Sequence, residues 1–263
     1  MSHSKHIAKQ GPHWVVLDII AMVKRNMLRY VRLPQLLIFS TIQPVMFLLL
    51  FTYVFGGAIK TSSSNYINYL LPGIIVQTVI FGAMQTGVGL ADDLSKGLID
   101  RFRSLPMARS AVLMGRTIAD SLRNVFVVAL MTGVGYIIGF RLHEPVTHAL
   151  LAVLLTILFG FAFSWISATI GMLVKNVETA QVAGFIWVFP LVFASSIFVP
   201  VQGMPDWLQT FAKHSPITLT VNTVRALVLG GPVSDYAWQS IAWILGILIV
   251  FVPLAVNKYR KST

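Results

Sequence analysis

Apolar positions along this chain come in long blocks rather than at the two-residue period of a strand. Residues 33–55 are predominantly apolar, long enough to cross a hydrocarbon core about 30 Å thick. Further apolar stretches lie at 70–91, 118–140, 149–174, 180–199 and 237–256. The pattern predicts an all-α membrane protein with six transmembrane helices. Pro44 lies inside the first span and predicts a kink there. Pro72 falls in the first turn of the second span, where proline is tolerated. One long helix over 110–140 carries the third span, whose apolar part begins near Val125.

The segment before the first span differs. At 100° per residue, Asp18, Arg25, Arg29 and Arg32 fall within an arc of roughly 60°. Ile19, Ile20, Val23, Met27, Tyr30 and Val31 occupy the other side. Residues 14–32 therefore predict an amphipathic helix in the membrane interface, with Arg25, Arg29 and Arg32 toward the cytoplasm. Residues 1–13 form a polar tail, expected to be disordered, and 257–263 a basic one. The first apolar run lacks a small-residue cleavage site, so no removable signal peptide is expected.

Composition supports the membrane assignment. Hydrophobic residues make up 56 % of the chain and charged residues 11 %, against about 25 % charged in soluble domains. The net charge of +11 could suggest nucleic acid, but membrane topology explains it without such a partner. With both termini inside, sixteen of the twenty lysines and arginines fall on the cytoplasmic side. That asymmetry sets the orientation and places the chain in the cell membrane. The absence of cysteine excludes disulfides and thiolate chemistry.

The longest polar block, 92–120, then lies in the cytoplasm. Taken as a helix, 92–105 begins with Asp92 and Asp93, where carboxylates suit a helix N-terminus. Leu94, Leu98, Phe102 and Leu105 share one face; Lys96, Asp100 and Arg103 lie opposite; Pro106 ends the helix. Such a helix can rest on the bilayer or dock into a groove on a soluble partner, and periodicity does not separate the two. Arg116, Asp120 and Arg123, spaced four and three apart, form one stripe where the third helix enters the membrane. A structural ion-pair stripe is the simpler reading than a transport role, because an unpaired Asp120 at that depth is costly.

Between the fifth and sixth spans, 200–236 is too long for a turn and too interrupted for a span. It predicts two short helices dipping into the outer leaflet, tolerated where broken helices line a protein-enclosed cavity. A hairpin on the lipid surface is the plainer alternative. Gln43, Gln77 and Gln85 lie within spans, and hydrogen bonds between helices explain them more simply than substrate contact. Gly135 and Gly139 suggest close packing. Asn176 and Glu178 suggest a helix cap. His143 and His148 have no neighbouring ligand cluster, so no metal site is expected. There is no GxxxxGK[ST] phosphate loop and no HExxH, and no carboxylate pair lies within a span, so no catalytic residue is assigned.

The run Lys96, Gly97, Leu98, Ile99, Asp100, Arg101, Phe102, Arg103, Ser104, Leu105, Pro106, Met107 resembles the motif between spans two and three of ABC type-2 exporter permeases. It is most similar to the daunorubicin-resistance type of drug permease, and the likeness continues through Arg109, Gly115, Arg116 and Asp120. The resemblance implies that 92–105 is a coupling helix seated in a separate ATPase subunit. Leu98, Asp100, Arg101, Phe102, Arg103, Leu105 and Pro106 would transmit nucleotide-driven motion. Pro205, Asp206, Trp207, Leu208, Gln209, His214 and Pro216 also resemble that family, which makes 200–236 an outer gate carried by Trp207, Leu208, Phe211, His214 and Pro216. The implied partners are two ATPase copies, a second permease copy or a related permease, and membrane lipid. This chain itself binds no cofactor; ATP and Mg belong to the ATPase. The expected function is ATP-driven export of an amphipathic or hydrophobic substrate, a drug-like product or a lipid. The alternatives are a channel or secondary transporter, or a membrane scaffold that recruits a cytoplasmic protein.

Overall fold

The computed structural model describes residues 12–57, 59, 65–98, 109–174 and 176–261. Nine α-helices form among them. These are α1 Pro12–Arg32, α2 Pro34–Leu50, α3 Tyr66–Ser95, α4 Arg109–Ile138, α5 Val146–Gly171, α6 Val177–Phe193, α7 Asp206–His214, α8 Pro216–Leu229 and α9 Val233–Lys261. A π-helical turn, Phe51–Phe55, extends α2, and a 3₁₀ turn, Val201–Gly203, precedes α7. The α3, α4, α5 and α9 helices are long and apolar enough to cross a membrane; segments in α2, α6 and α8 are shorter apolar helices.

The α3 helix lies at the centre. Of its apolar window 89 % is buried, against 22 % for the corresponding part of α9. A helix buried over so much of its surface is a core element, whereas α9 keeps much of its surface outward. The α3 and α5 helices meet backbone to backbone. A Cβ on Gly87 would lie 2.2 Å from the Ser167 carbonyl oxygen, and one on Gly171 would lie 2.2 Å from that of Gly87. Two glycines at the crossing permit this approach. Gly135 likewise admits Leu71, but Gly139 has φ +119 and no neighbour within 4 Å. Gly139 ends α4 instead of packing it.

The α1 helix rests on α4. Met22 is buried, and the missing side chain of Gly115 makes room for it. Trp14, Ile20 and Val31 remain exposed, a face of α1 that the rest of the chain leaves uncovered. Asn176 caps α6, its side chain accepting the Thr179 N–H at 2.8 Å.

Three helices differ from the sequence reading in ways that shape the site. First, α3 continues to Ser95, so Asp92 and Asp93 occupy its last turn and do not start a new helix. Gly97, at φ +64, then turns the chain. Leu98 is described, whereas Asp100, Arg101, Phe102, Arg103, Leu105 and Pro106 lie outside the described residues. Second, the apolar run to 199 does not stay helical: α6 stops at Phe193. Side chains from other helices capture the freed carbonyls, with Tyr69 Oη donating to Ser196 at 2.9 Å and Tyr66 Oη to Phe198 at 2.8 Å. Third, α9 begins at Val233 and runs to Lys261, longer at both ends than 237–256.

Candidate functional site

Two polar assemblies interrupt the apolar body, one at each end. The inner one begins with α4. Its helical spacing carries Arg116, Asp120 and Arg123 inward, and all three are buried. Arg116 Nη1 lies 3.0 Å from Asp93 Oδ2, and Nε lies 3.9 Å from Asp120 Oδ2. Gly89 makes room for this guanidinium; a Cβ there would stand 1.7 Å from Nη2. Asp120 also accepts hydrogen bonds from Tyr30 on α1 and Thr86 on α3. One carboxylate thereby joins α1, α3 and α4. Burial, and then the nearby Asp120 charge, push the Tyr30 hydroxyl above its ordinary pKa, so it stays a donor.

Arg123 does not complete an ion pair with Asp120. Its Nη2 donates to Asn124 Oδ1 at 3.1 Å, and its guanidinium carbon lies 5.6 Å from the Tyr30 ring centroid. The position of Asp93 has an electrostatic consequence. A carboxylate in a helix's last turn faces the negative end of the dipole, and the contact with Arg116 offsets this. Asp92 is held by Lys96 at 2.8 Å and by Arg29 at 3.6 Å. Arg25 and Arg32 remain on the exposed side of α1.

The outer assembly centres on Arg225 of α8, which is buried. Its Nε donates to the Tyr69 carbonyl at 2.8 Å. Nη2 donates to the carbonyls of Ser196 at 2.7 Å and Ile197 at 3.0 Å. Nη1 reaches Ser196 Oγ and Asn222 Oδ1, both at 3.2 Å. The guanidinium also lies over the Tyr69 ring at 3.6 Å. The planar fork suits this many acceptors, where an ammonium would not. Arg225 thus fastens α8, the start of α3 and the link after α6 together.

Arg225 and His214 line an outer cavity of about 1060 Å³, with Asn68, Lys213, Tyr236 and Gln239. The other residues expected at an outer gate separate. Trp207 is 75 % exposed and Phe211 49 %. Leu208 packs on a small cluster of Val201, Met204 and Ala212, and Pro216 occupies the first turn of α8. His148 pairs with Glu144 at 3.1 Å, and among the described residues no three metal-ligating side chains cluster.

Tyr30, Thr86 and Arg225 had no role in the sequence reading. Tyr30 sits on the apolar side of α1 by periodicity, and Arg225 is a lone cation in an apolar helix. A single charge in so apolar a run was the available signal for Arg225, since such groups are rarely left without partners.

Comparison with known proteins places this architecture. The ABC-2 type transporter family matches residues 18–229. The chain is 35 % identical over 242 residues to the daunorubicin resistance ABC transporter permease protein DrrB1 of Streptomyces coeruleorubidus, covering 90 % of this chain and 84 % of that protein. It is 28 % identical over 203 residues to the doxorubicin resistance ABC transporter permease protein DrrB of Mycobacterium tuberculosis, covering 76 % and 70 % respectively. The all-helical, multi-span chain therefore belongs to the ABC-2 type transporter family, as a permease subunit.

Proposed function

We propose that this permease exports an amphipathic, drug-like substrate across the cell membrane, driven by a separate ATPase subunit. The match to a daunorubicin resistance permease over nine-tenths of the chain carries this reading. The helices α2 to α6 and α9 serve as the six spans, with both termini cytoplasmic. The α6 helix is short for a span at about 25 Å, and the 194–199 link supplies the remaining reach. The scarcity of charge along the spans favours an apolar or amphipathic cargo over an ion.

In this reading residues 98–106 seat in the ATPase, and two permease chains stand over two ATPases. The last turn of α3 leads directly into that segment. Its Asp93 is bonded to Arg116, which lies 3.9 Å from Asp120, and Asp120 in turn holds Tyr30 and Thr86, so a displacement at the ATPase moves α1, α3 and α4 together. The α7–α8 segment acts as the outer gate, with His214 on the cavity and the exposed Trp207 toward lipid or a second chain. The structural role of Arg116 and Asp120 and their role in transmission are then the same role.

The test is reconstitution with the cognate ATPase in liposomes, scoring ATP turnover and daunorubicin movement. Cargo-stimulated turnover with ATP-dependent transport is expected. An assembled complex that moves no amphiphile from a drug and lipid panel would refute the proposal.

A further inference from the structure

Between α2, α3 and α4 a crevice holds polar atoms that the fold leaves without partners. Its inner mouth has about 590 Å³ and includes Arg29, Tyr30, Asp92 and Asp120. A narrower recess of about 80 Å³ includes Gln77 and Asn124, with Phe47 and Phe81 as apolar walls. Ser40, Gln43, Gln85 and Arg123 border both spaces, so the two adjoin along one path of polar side chains. The mouth has a volume typical of drug-sized ligand sites.

Gln77 and Arg123 in the path are buried and incomplete, as is Arg116 Nε at the inner mouth, which has only the Asp120 carboxylate at 3.9 Å. Gln77 is 4 % exposed, and its Oε1 has no hydrogen-bond donor; Arg123 is 6 % exposed, and its Nε has no acceptor. Among the described residues no carboxylate lies within 4 Å of Arg123. Nor do Gln43 and Gln85 bond across helices; both sit on an exposed face of an apolar helix. A buried amide oxygen and a buried guanidinium N–H are costly to leave unmatched. Here they ask for opposite things: Gln77 for a hydroxyl, Arg123 for an acceptor oxygen.

We propose that this crevice is a cargo-binding site for an amphiphile that presents a carbonyl or anionic oxygen to Arg123 and a hydroxyl to Gln77, with one ring edge entering the recess against Phe47 and Phe81 and the rest of its body in the inner mouth. The inference rests on the exporter reading above and adds the residues that recognise the cargo. The fit is to a hydroxylated aromatic body, because a ring packs on phenylalanine while its edge oxygens meet the amides and the guanidinium.

The experiment uses the complete permease–ATPase complex in phosphatidylcholine nanodiscs. The probe is daunorubicin, a fluorescent flat ring system carrying quinone carbonyls and hydroxyls. Gln77→Leu removes an unpaired buried acceptor, so thermal stability should hold or rise while daunorubicin affinity falls about tenfold. Arg123→Gln should weaken binding in the same direction. Binding of Gln77→Leu within twofold of wild type would overturn the site and leave the recess as water space. Drug-stimulated ATP turnover by the wild type tests the exporter reading separately, so its loss marks failure of that reading and not of the site alone. Discs containing phosphatidylglycerol, whose head offers the same oxygens and hydroxyls, separate the two ligand sources. Competition that Gln77→Leu abolishes keeps the site and assigns it to lipid.

Discussion

Arg116 stands between two buried carboxylates that cannot both be left bare. The two contacts differ, 3.0 Å to Asp93 and 3.9 Å to Asp120, and Asp120 has Tyr30 and Thr86 as well. Loss of the guanidinium therefore strands Asp93 more completely than Asp120. Arg116→Met should destabilise the protein by about 3–5 kcal/mol, the cost of breaking a buried pair from one side. Tyr30→Phe removes one donor from a carboxylate that keeps others, and should cost about 1–3 kcal/mol. Thermal unfolding in detergent, followed by tryptophan fluorescence, ranks the two. Equal midpoints would mean that Asp93 has another partner. An intact Arg116→Met midpoint would remove the electrostatic argument for this cluster.

At the scale of elements, the apolar blocks were legible and their ends were not. The α4 and α5 helices lie close to where their apolar runs place them, because burial of long apolar stretches leaves little choice. The α3 and α6 helices ended differently because the deciding contacts are remote in sequence. Asp92 reads as a helix start by its charge, yet pairing with Lys96 and Arg29 lets it close one. Residues 194–199 read as the end of a span, but their carbonyls are taken by Tyr66, Tyr69 and Arg225. At the candidate site, the stripe spacing brought Arg116 and Asp120 together, while Arg123 turned to Asn124. Periodicity shows which face a residue occupies but not which neighbour arrives there. Arg225→Met tests the outer capture. Residues 194–199 should exchange backbone hydrogen faster by mass spectrometry, while α4 and α5 exchange as before. Unaltered exchange there would show that Tyr66 and Tyr69 suffice.

Across the whole molecule, the proposed function assigns binding of the ATPase and the response to it to different residues. In that proposal binding falls to 98–106, whose apolar positions Phe102 and Leu105 would suit a pocket on the partner. The proposed response falls to the cluster behind, where Arg116 links α3 to α4 and Tyr30 brings in α1. A substitution in each region should separate the two. Phe102→Asp with Leu105→Asp should abolish co-purification of the ATPase, and with it all stimulated ATP hydrolysis. Arg116→Lys keeps the positive charge but replaces a planar fork with a single ammonium, which cannot hold Asp93 and Asp120 in fixed geometry. The ATPase should still co-purify with Arg116→Lys at wild-type yield, yet drug-stimulated ATP turnover and export should both fall by about tenfold or more, as expected when about 1.4 kcal/mol of coupling is lost. Co-purification followed by turnover on the same preparation reads both steps. Full coupling in Arg116→Lys would show that the cluster holds the fold together without carrying the stroke, and transmission would then have to run through α1 or through contacts beyond this chain.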